Sequence, residues 1–168
     1  MNNKRMVQII LPLAIVIAIA GIWLLKQRQS EPPAAALNTP LEITEVDLST
    51  IQAYGLPVII DFGSDTCIPC KEMAPVLEKM NAEMQGKAII HFADVWKHPE
   101  AAQNFPVQVI PTQLFYTADG KPYVPDEKLG IAFTIYSHKD TKEHLFTTHQ
   151  GGLTEEQVRS ILLDMGVK

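Results

Sequence analysis

Cysteine is scarce in this sequence, whose 168 residues contain only two, Cys67 and Cys70. A small secreted scaffold held together by several disulfides needs more cysteines than this. A structural zinc site normally requires two further ligands, as a second C-x-x-C or an H-x-x-x-H, and the sequence has neither pattern. We therefore expect no metal site, and we interpret the pair as a dithiol with no other thiol in the chain to mispair with.

An excess of basic residues is also missing. Lysine and arginine together number 14 against 19 acidic residues, which leaves a formal net charge of −5. Proteins that bind nucleic acid usually carry a basic surface that neutralises phosphates, so we expect no nucleic-acid partner. The hydrophobic fraction of 46% with 20% charged residues is typical of a globular protein.

One long apolar segment stands near the N-terminus, from Val7 to Leu25, and it contains no charged residue. A helix of this length reaches roughly the 30 Å of a bilayer's hydrocarbon core. Basic residues precede and directly follow the segment, so we predict an uncleaved, single-pass N-terminal transmembrane helix within residues 1–26. A cleaved signal peptide is the alternative, because Ala18-x-Ala20 and Ala34-x-Ala36 both resemble cleavage sites.

The remaining chain divides into a spacer and one domain. Residues 27–40 contain three prolines and no apolar periodicity, which indicates a solvated spacer. Residues 41–168 alternate strand and helix patterns, which predicts an α/β domain with a sheet covered on both faces. The predicted helices are 48–54, 70–85, 99–104 and 154–165, and the predicted strands are 58–62, 87–95, 113–116 and 143–149. Residues 122–142 fit this pattern poorly, although their IAFTIY segment favours an extra strand in a hairpin.

The C-x-x-C motif lies where a thiolate is stabilised. The apolar strand VIIDF leads through the loop GSDT to Cys67, which falls at the start of the helix that carries Cys70. Free backbone N–H groups and the helix dipole favour an anion at that position, and the thiolate is the attacking form of cysteine. We therefore expect Cys67 to be the nucleophile and Cys70 the resolving thiol.

The motif and its surroundings resemble the thioredoxin family over roughly residues 43–166. Five features in register carry the resemblance: Asp61-Phe62, Cys67-Ile68-Pro69-Cys70-Lys71, Ala74-Pro75, Ile110-Pro111-Thr112 and Gly151-Gly152. The resemblance implies a thioredoxin fold, a central mixed sheet flanked by helices, here with a small insertion before the last strand. It also implies a thiol–disulfide oxidoreductase that needs no cofactor beyond the redox-active Cys67–Cys70 disulfide.

Individual roles follow from the same resemblance. Pro111 matches the family's cis-proline, which packs beside the two sulfurs, and the backbone of Ile110 would pair with an extended substrate segment. Asp61 matches the buried carboxylate below the motif, a general base that takes the proton of Cys70. Gly151 or Gly152 would line the substrate groove, where a side chain would block the substrate.

The sequence departs from the family pattern at three places. Thr66 stands where most members have tryptophan, so the surface that meets the substrate beside Cys67 is expected to be smaller and more polar. Ile68 replaces the commoner glycine inside the motif, whereas Pro69 keeps the usual proline. The lysine that often neighbours the buried aspartate is missing. Trp96 is a further candidate for the rim of the groove.

These features together favour a reductase of disulfides in exported proteins. We expect it to be anchored in the bacterial inner membrane with its catalytic domain on the periplasmic side, and to act on protein disulfide substrates. Its electrons would come from an integral membrane thiol transporter. Two alternatives stay open: a disulfide oxidase or isomerase of the same fold, and an anchored binding module or metal chaperone.

Overall fold

The computed structural model describes residue 21 and residues 38–168. The predicted anchor, apart from residue 21, and most of the spacer lie outside them. None of the helices within the described part of the chain is both long enough and apolar enough to span a membrane. The elements are the strands β1 Glu42–Ile43, β2 Val58–Gly63, β3 Ile89–Asp94, β4 Thr112–Tyr116, β5 Thr134–Ser137 and β6 His144–Gln150, and the helices α1 Leu48–Gln52, α2 Ile68–Glu83 and α3 Glu155–Asp164.

The six strands form one sheet in the order β1-β3-β2-β4-β6-β5. The central strand β2 pairs in parallel with β3 and antiparallel with β4, so the predicted mixed sheet is confirmed. β1 was not predicted, because an element of two residues is too short to show a hydrophobic period.

Helices cover both faces of the sheet. Successive residues of a strand point to opposite faces, so the wholly buried β2 contributes to two apolar clusters. Ile59 packs with Met73 of α2 and Ile161 of α3, whereas Ile60 belongs to the opposite cluster with Ile51 of α1. Asp61 follows Ile60 and is thereby turned to the face beneath α2.

The helix that carries the motif begins two residues earlier than the sequence predicted. α2 starts at Ile68, with Cys67 as its N-cap residue and Pro69 in its first turn. Proline is tolerated there because the first-turn N–H groups have no partner within the helix. Pro75 lies inside α2, and the helix continues through it to Glu83.

The poorly fitting stretch 122–142 contains β5, which pairs antiparallel with β6, so the predicted extra strand in a hairpin is confirmed. The stretch packs onto the core through Phe133, whose ring centroid lies 5.5 Å from that of Phe115 and 5.8 Å from that of Tyr123. Aromatic contacts of this kind stabilise a fold beyond their buried area. The insertion is therefore part of the packed domain.

The other three predicted helices also differ in their bounds. The helix expected over 48–54 ends at Gln52. The helix expected over 99–104 is one 3₁₀ turn, Pro99–Ala102, and Pro106 disfavours helical backbone at the residue before it. The last helix begins after the cap residue Thr154, which forms the predicted capping box with Gln157.

Candidate active site

The two cysteines form a disulfide at the N-terminus of α2, with their Cα atoms 5.3 Å apart. Cys67 is partly exposed, whereas Cys70 is buried with 4% of its surface accessible. The backbone N–H of Cys70 points at the sulfur of Cys67 over 3.4 Å. This donor and the helix dipole favour the thiolate at Cys67 once the disulfide is reduced. The geometry thus makes Cys67 the accessible sulfur and Cys70 the shielded one.

The predicted cis-proline is confirmed: the Ile110–Pro111 peptide bond is cis. It lies beside the disulfide, since the carbonyl oxygen of Ile110 is 3.9 Å from Sγ of Cys67. The N–H of Gly151 donates to the carbonyl oxygen of Pro111 over 2.9 Å, which joins the end of β6 to the same loop. The structure therefore brings together segments that are far apart in the sequence.

Both glycines of the predicted groove lie next to this loop. Gly151 has a φ of +107°, a backbone conformation that side chains rarely adopt. A Cβ on the exposed Gly152 would meet only the backbone oxygen of Pro69, at 3.9 Å. The surface beside the motif is therefore open at these two positions, as a groove for an extended segment requires.

The two inner motif residues and the preceding Thr66 surround Cys67 at the surface. Thr66, Ile68 and Pro69 are all exposed, and the hydroxyl of Thr66 lies 3.1 Å from that of the buried Ser64. Thr66 thus presents a small polar surface, whereas Ile68, with 72% of its surface accessible, presents an apolar one.

An apolar surface continues on the other side of the disulfide. Trp96 is 63% exposed and Val109 is 51% exposed, and both line a cleft of about 260 Å³ that also reaches Ile110. The loop that carries Trp96 is held by Asp94, whose carboxylate accepts the N–H of Trp96 over 3.0 Å. Val109 was not predicted from the sequence, because a single valine two residues before a proline carries no distinctive pattern.

Asp61 lies fully buried below the motif. The side-chain amide of Gln113 donates to its Oδ1 over 2.6 Å, and Oδ2 has no hydrogen-bond partner among residues 38–168. Burial raises the pKa of Asp61 to about 7, although the hydrogen bond from Gln113 acts in the opposite direction. A carboxyl group with such a pKa can take up and release a proton near neutral pH.

Gly63 keeps a space open between this carboxyl group and the disulfide. A Cβ on Gly63 would lie 3.2 Å from Oδ2 of Asp61, 3.3 Å from Sγ of Cys70 and 2.8 Å from the ring of Phe92. Any side chain at this position would therefore crowd the region in which Asp61 and Cys70 face each other. Sequence reasoning missed both Gly63 and Gln113.

The histidines do not assemble a metal site with the cysteines. His138 accepts backbone N–H groups of its own turn, His144 contacts Thr147, and His149 contacts the carbonyl oxygen of Ala132. Within residues 38–168, no three potential metal-binding side chains cluster together.

The part of the chain that carries this site is similar to known proteins. The profile of the family described as Thioredoxin matches residues 44–130. A thioredoxin of Mycobacterium tuberculosis strain H37Rv is 36% identical over 86 residues, which make up 51% of this chain and 73% of that protein. A thioredoxin of Staphylococcus aureus strain N315 is 37% identical over 82 residues, which make up 49% of this chain and 77% of that protein.

Similarity to a solved structure supports the assignment of the fold, but not of the function. The crystal structure of chloroplastic thioredoxin z superposes with a TM-score of 0.50 at 20% sequence identity, over 76% of this chain and 96% of that chain.

Proposed function

Because this chain belongs to the thioredoxin family of thiol–disulfide oxidoreductases, we propose that it reduces disulfides in exported proteins with the Cys67–Cys70 dithiol. One observation carries the proposal: a partly exposed Cys67 sulfur at a helix N-terminus lies beside the carbonyl of Ile110, 3.9 Å away. A nucleophilic sulfur and a free backbone acceptor are the two groups that a protein disulfide needs for attack and alignment.

The reaction transfers two electrons from the dithiol to the substrate. The Cys67 thiolate attacks one sulfur of the substrate disulfide, and the other sulfur leaves as a thiolate that takes a proton from solvent. Cys70 then loses its proton to Asp61, and its sulfur attacks Cys67 in the mixed disulfide. The second substrate sulfur leaves, and the Cys67–Cys70 disulfide closes.

The substrate is proposed to be an extended protein segment with apolar side chains near its disulfide. Its backbone would pair with that of Ile110 and run past Gly151 and Gly152. Its side chains would contact the exposed apolar surfaces of Ile68, Trp96 and Val109. Such segments are accessible in proteins that are unfolded or wrongly oxidised.

The cellular setting rests on the apolar segment Val7–Leu25. We propose that it anchors the chain in the bacterial inner membrane with the domain on the periplasmic side. That compartment is kept oxidising, so the dithiol would need electrons from the cytoplasm through an integral membrane thiol transporter. An anchor supports this exchange because it raises the effective concentration of one partner around the other.

The first test is the reduction potential of the Cys67–Cys70 pair, by equilibration against dithiothreitol or glutathione. A reductase is expected near the roughly −270 mV of thioredoxin. A value near about −120 mV, the strongly oxidising end, would contradict the proposal and favour a disulfide oxidase. The exposed Ile68 inside the motif and Thr66 beside it make that second function a real competitor, since residues around the cysteines tune the potential.

Two cysteine variants, each incubated with a disulfide-containing protein substrate, check the order of events. Cys70→Ser should accumulate a mixed disulfide with a protein substrate, because the resolving thiol is gone while the nucleophile remains. Cys67→Ser should form none, because Cys70 is buried. A mixed disulfide that forms equally in both variants would contradict the assigned roles.

A further inference from the structure

Gln113 and Asp61 form a buried pair that the cysteine chemistry alone does not explain. The two residues lie opposite each other on β4 and β2, and both are fully buried. The amide nitrogen of Gln113 donates to Oδ1 of Asp61 over 2.6 Å and lies 3.4 Å from the sulfur of Met73. Its amide group is therefore held between a strand and α2.

Each member of the pair keeps one buried oxygen that has no hydrogen-bond partner within the described residues. These are Oδ2 of Asp61 and Oε1 of Gln113. An unpaired buried acceptor is costly in free energy, so both atoms are poised to accept a hydrogen bond in another state of the protein. The Oδ2 atom is the one near the Cys70 sulfur, since both lie within 3.3 Å of the Cβ position of Gly63.

No charged side chain forms a hydrogen bond with Asp61 among residues 38–168. From β3, the ring of Phe92 is opposite Asp61, whereas His91 points to the other face and bonds to the carbonyl oxygen of Pro40. From β6, His149 is opposite Gln113 and bonds to Ala132.

The remaining titratable groups near the cysteine belong to α2, the loop before it and β1. Besides Cys70 itself, a cavity of about 180 Å³ that reaches Cys70 is lined by Lys71 and Glu78 of α2, Asp65 of the loop and Glu42 of β1. None of them bonds to Asp61, so Gln113 is the carboxyl group's hydrogen-bond partner in the described part of the chain.

An amide is a suitable hydrogen-bond partner for a carboxyl group that gains and loses a proton. It can donate through its nitrogen to a carboxylate, and it can accept through its oxygen from a carboxylic acid. A lysine in this place could only donate, and it would add a charge. Gln113 can therefore remain bonded to Asp61 before and after proton transfer.

We propose that Gln113 is the positioning residue for the proton transfer between Cys70 and Asp61. Its amide holds Oδ1, which leaves Oδ2 as the oxygen that receives the Cys70 proton while the Cys70 sulfur attacks Cys67. The S–H bond of Cys70 breaks, an O–H bond forms on Asp61, and the disulfide closes as the substrate sulfur leaves. This role rests on the proposed disulfide chemistry and adds to it the Gln113 amide, which orients Asp61 as the base.

The test is Gln113→Met, which keeps the length and approximate volume of the side chain and removes the amide. Loss of a donor to the carboxylate raises the pKa of Asp61. The free energy of a hydrogen bond to a charged group corresponds to a shift of about one to two units in the pKa of that group. The pH midpoint for resolution of the mixed disulfide, measured on the full chain, should shift upward by that amount. Rates should fall about tenfold or more below the midpoint and converge with wild type above it.

Two control variants separate this role from a structural one. Thr148→Val also removes a buried, unpartnered oxygen from the sheet but does not touch Asp61, so its pH midpoint should equal that of wild type. In an Asp61→Asn background, Gln113→Met should shift nothing, because the titrating group is absent. If Gln113→Met fails to fold, Gln113→Leu is measured in its place.

A second readout does not depend on any substrate. Carbon-13 labelling of the aspartate carboxyl groups reports the titration of Asp61 directly, and the Asp61→Asn variant identifies its signal. An unchanged titration in the folded Gln113 variant would overturn the inference, even if the wild type reduces disulfides. A wild type that cleaves no disulfide at any pH would overturn the proposed function, while a shifted titration would still establish the pairing.

Discussion

At the scale of single residues, the site depends on how one carboxyl group is buried. Asp61 lies under α2, where no cation in the described part of the chain bonds to it, and its amide partner lowers its pKa less than burial raises it. The resulting pKa of Asp61 is about 7. A carboxyl group with this pKa can accept a proton from Cys70 and return it near neutral pH, as the proposed reaction requires. The same burial has a consequence for the stability of the fold.

Asp61→Asn should remove a pH dependence of stability that the wild type has. The carboxyl pKa is about 3.8 unfolded and about 7 folded, so the folded state favours the protonated form. Stability is therefore full below the unfolded pKa and is lost as the pH rises from about 4 through 7. The loss amounts to roughly 4 kcal/mol.

Urea unfolding of the oxidised protein between pH 4 and 8 measures this difference. Asp61→Asn should be the more stable protein at pH 8, and the difference from wild type should shrink toward pH 4. All other titrating groups are shared and cancel in the comparison. Parallel stability curves for the two proteins would show that Asp61 ionises without cost in the folded state.

At the scale of elements, the loops at one end of the sheet build the proposed substrate surface. The start of α2 presents Ile68, the loop after β3 presents Trp96, and the segment before β4 presents Val109 and Ile110. Thr66 leaves a small polar gap where most family members have tryptophan. The exposed Trp96 supplies a large aromatic surface from a different element.

Trp96→Ala should weaken the reduction of protein disulfides and spare small ones. The kcat/KM for a protein substrate is expected to fall about five- to tenfold, which corresponds to about 1–1.4 kcal/mol, as for the loss of an aromatic contact at an interface. Reduction of a small aromatic disulfide should stay within about twofold of wild type. Steady-state kinetics with both substrates provide the measurement.

The matched control is Ile135→Ala, which removes another exposed apolar side chain, 52% accessible, from the edge strand β5. Both rates should be unchanged in that variant. Equal losses for both substrates in Trp96→Ala would mean that Trp96 supports the loop and does not contact the substrate.

At the scale of the whole molecule, the question is on which side of a membrane the domain lies. The chain's only two cysteines form the redox pair, so thiol labelling reports the position of the active site and nothing else. In intact cells of a bacterial expression host, a membrane-impermeant reductant followed by an impermeant maleimide should label the full chain. Labelling that requires cell lysis would place the domain in the cytoplasm and contradict the proposal.

A matched variant tests the anchor in the same cells. Placing lysines at Val16 and Ile19 interrupts the apolar segment, and charges near the centre of a spanning helix oppose insertion by about 2.5–3.5 kcal/mol each. The variant should lose both membrane association and labelling in intact cells. Retention of both would show that residues 7–25 are not what holds the domain there.

Local chemistry let the sequence determine much of this protein. The C-x-x-C spacing after a buried strand predicted which cysteine is the nucleophile, and Thr154 with Gln157 marked the start of the last helix. The cis bond at Ile110-Pro111 was predicted from the resemblance to the thioredoxin family. Each of these signals lies within a few residues of what it predicts, so no knowledge of distant contacts is needed.

The tertiary structure decided what depends on register between distant segments. Asp61 and Gln113 are 52 residues apart in the chain, and only the antiparallel pairing of β2 with β4 places them opposite each other. In the sequence, Gly63 has no feature that distinguishes it from other loop residues, and its role is visible only when α2 places Cys70 next to it. Trp96 and Val109 line one cleft because the fold brings their two loops together. Strand pairing and packing across long sequence separations are set by the whole fold. This is why Asp61 could be singled out from the family pattern in the sequence, whereas its partner Gln113 could not.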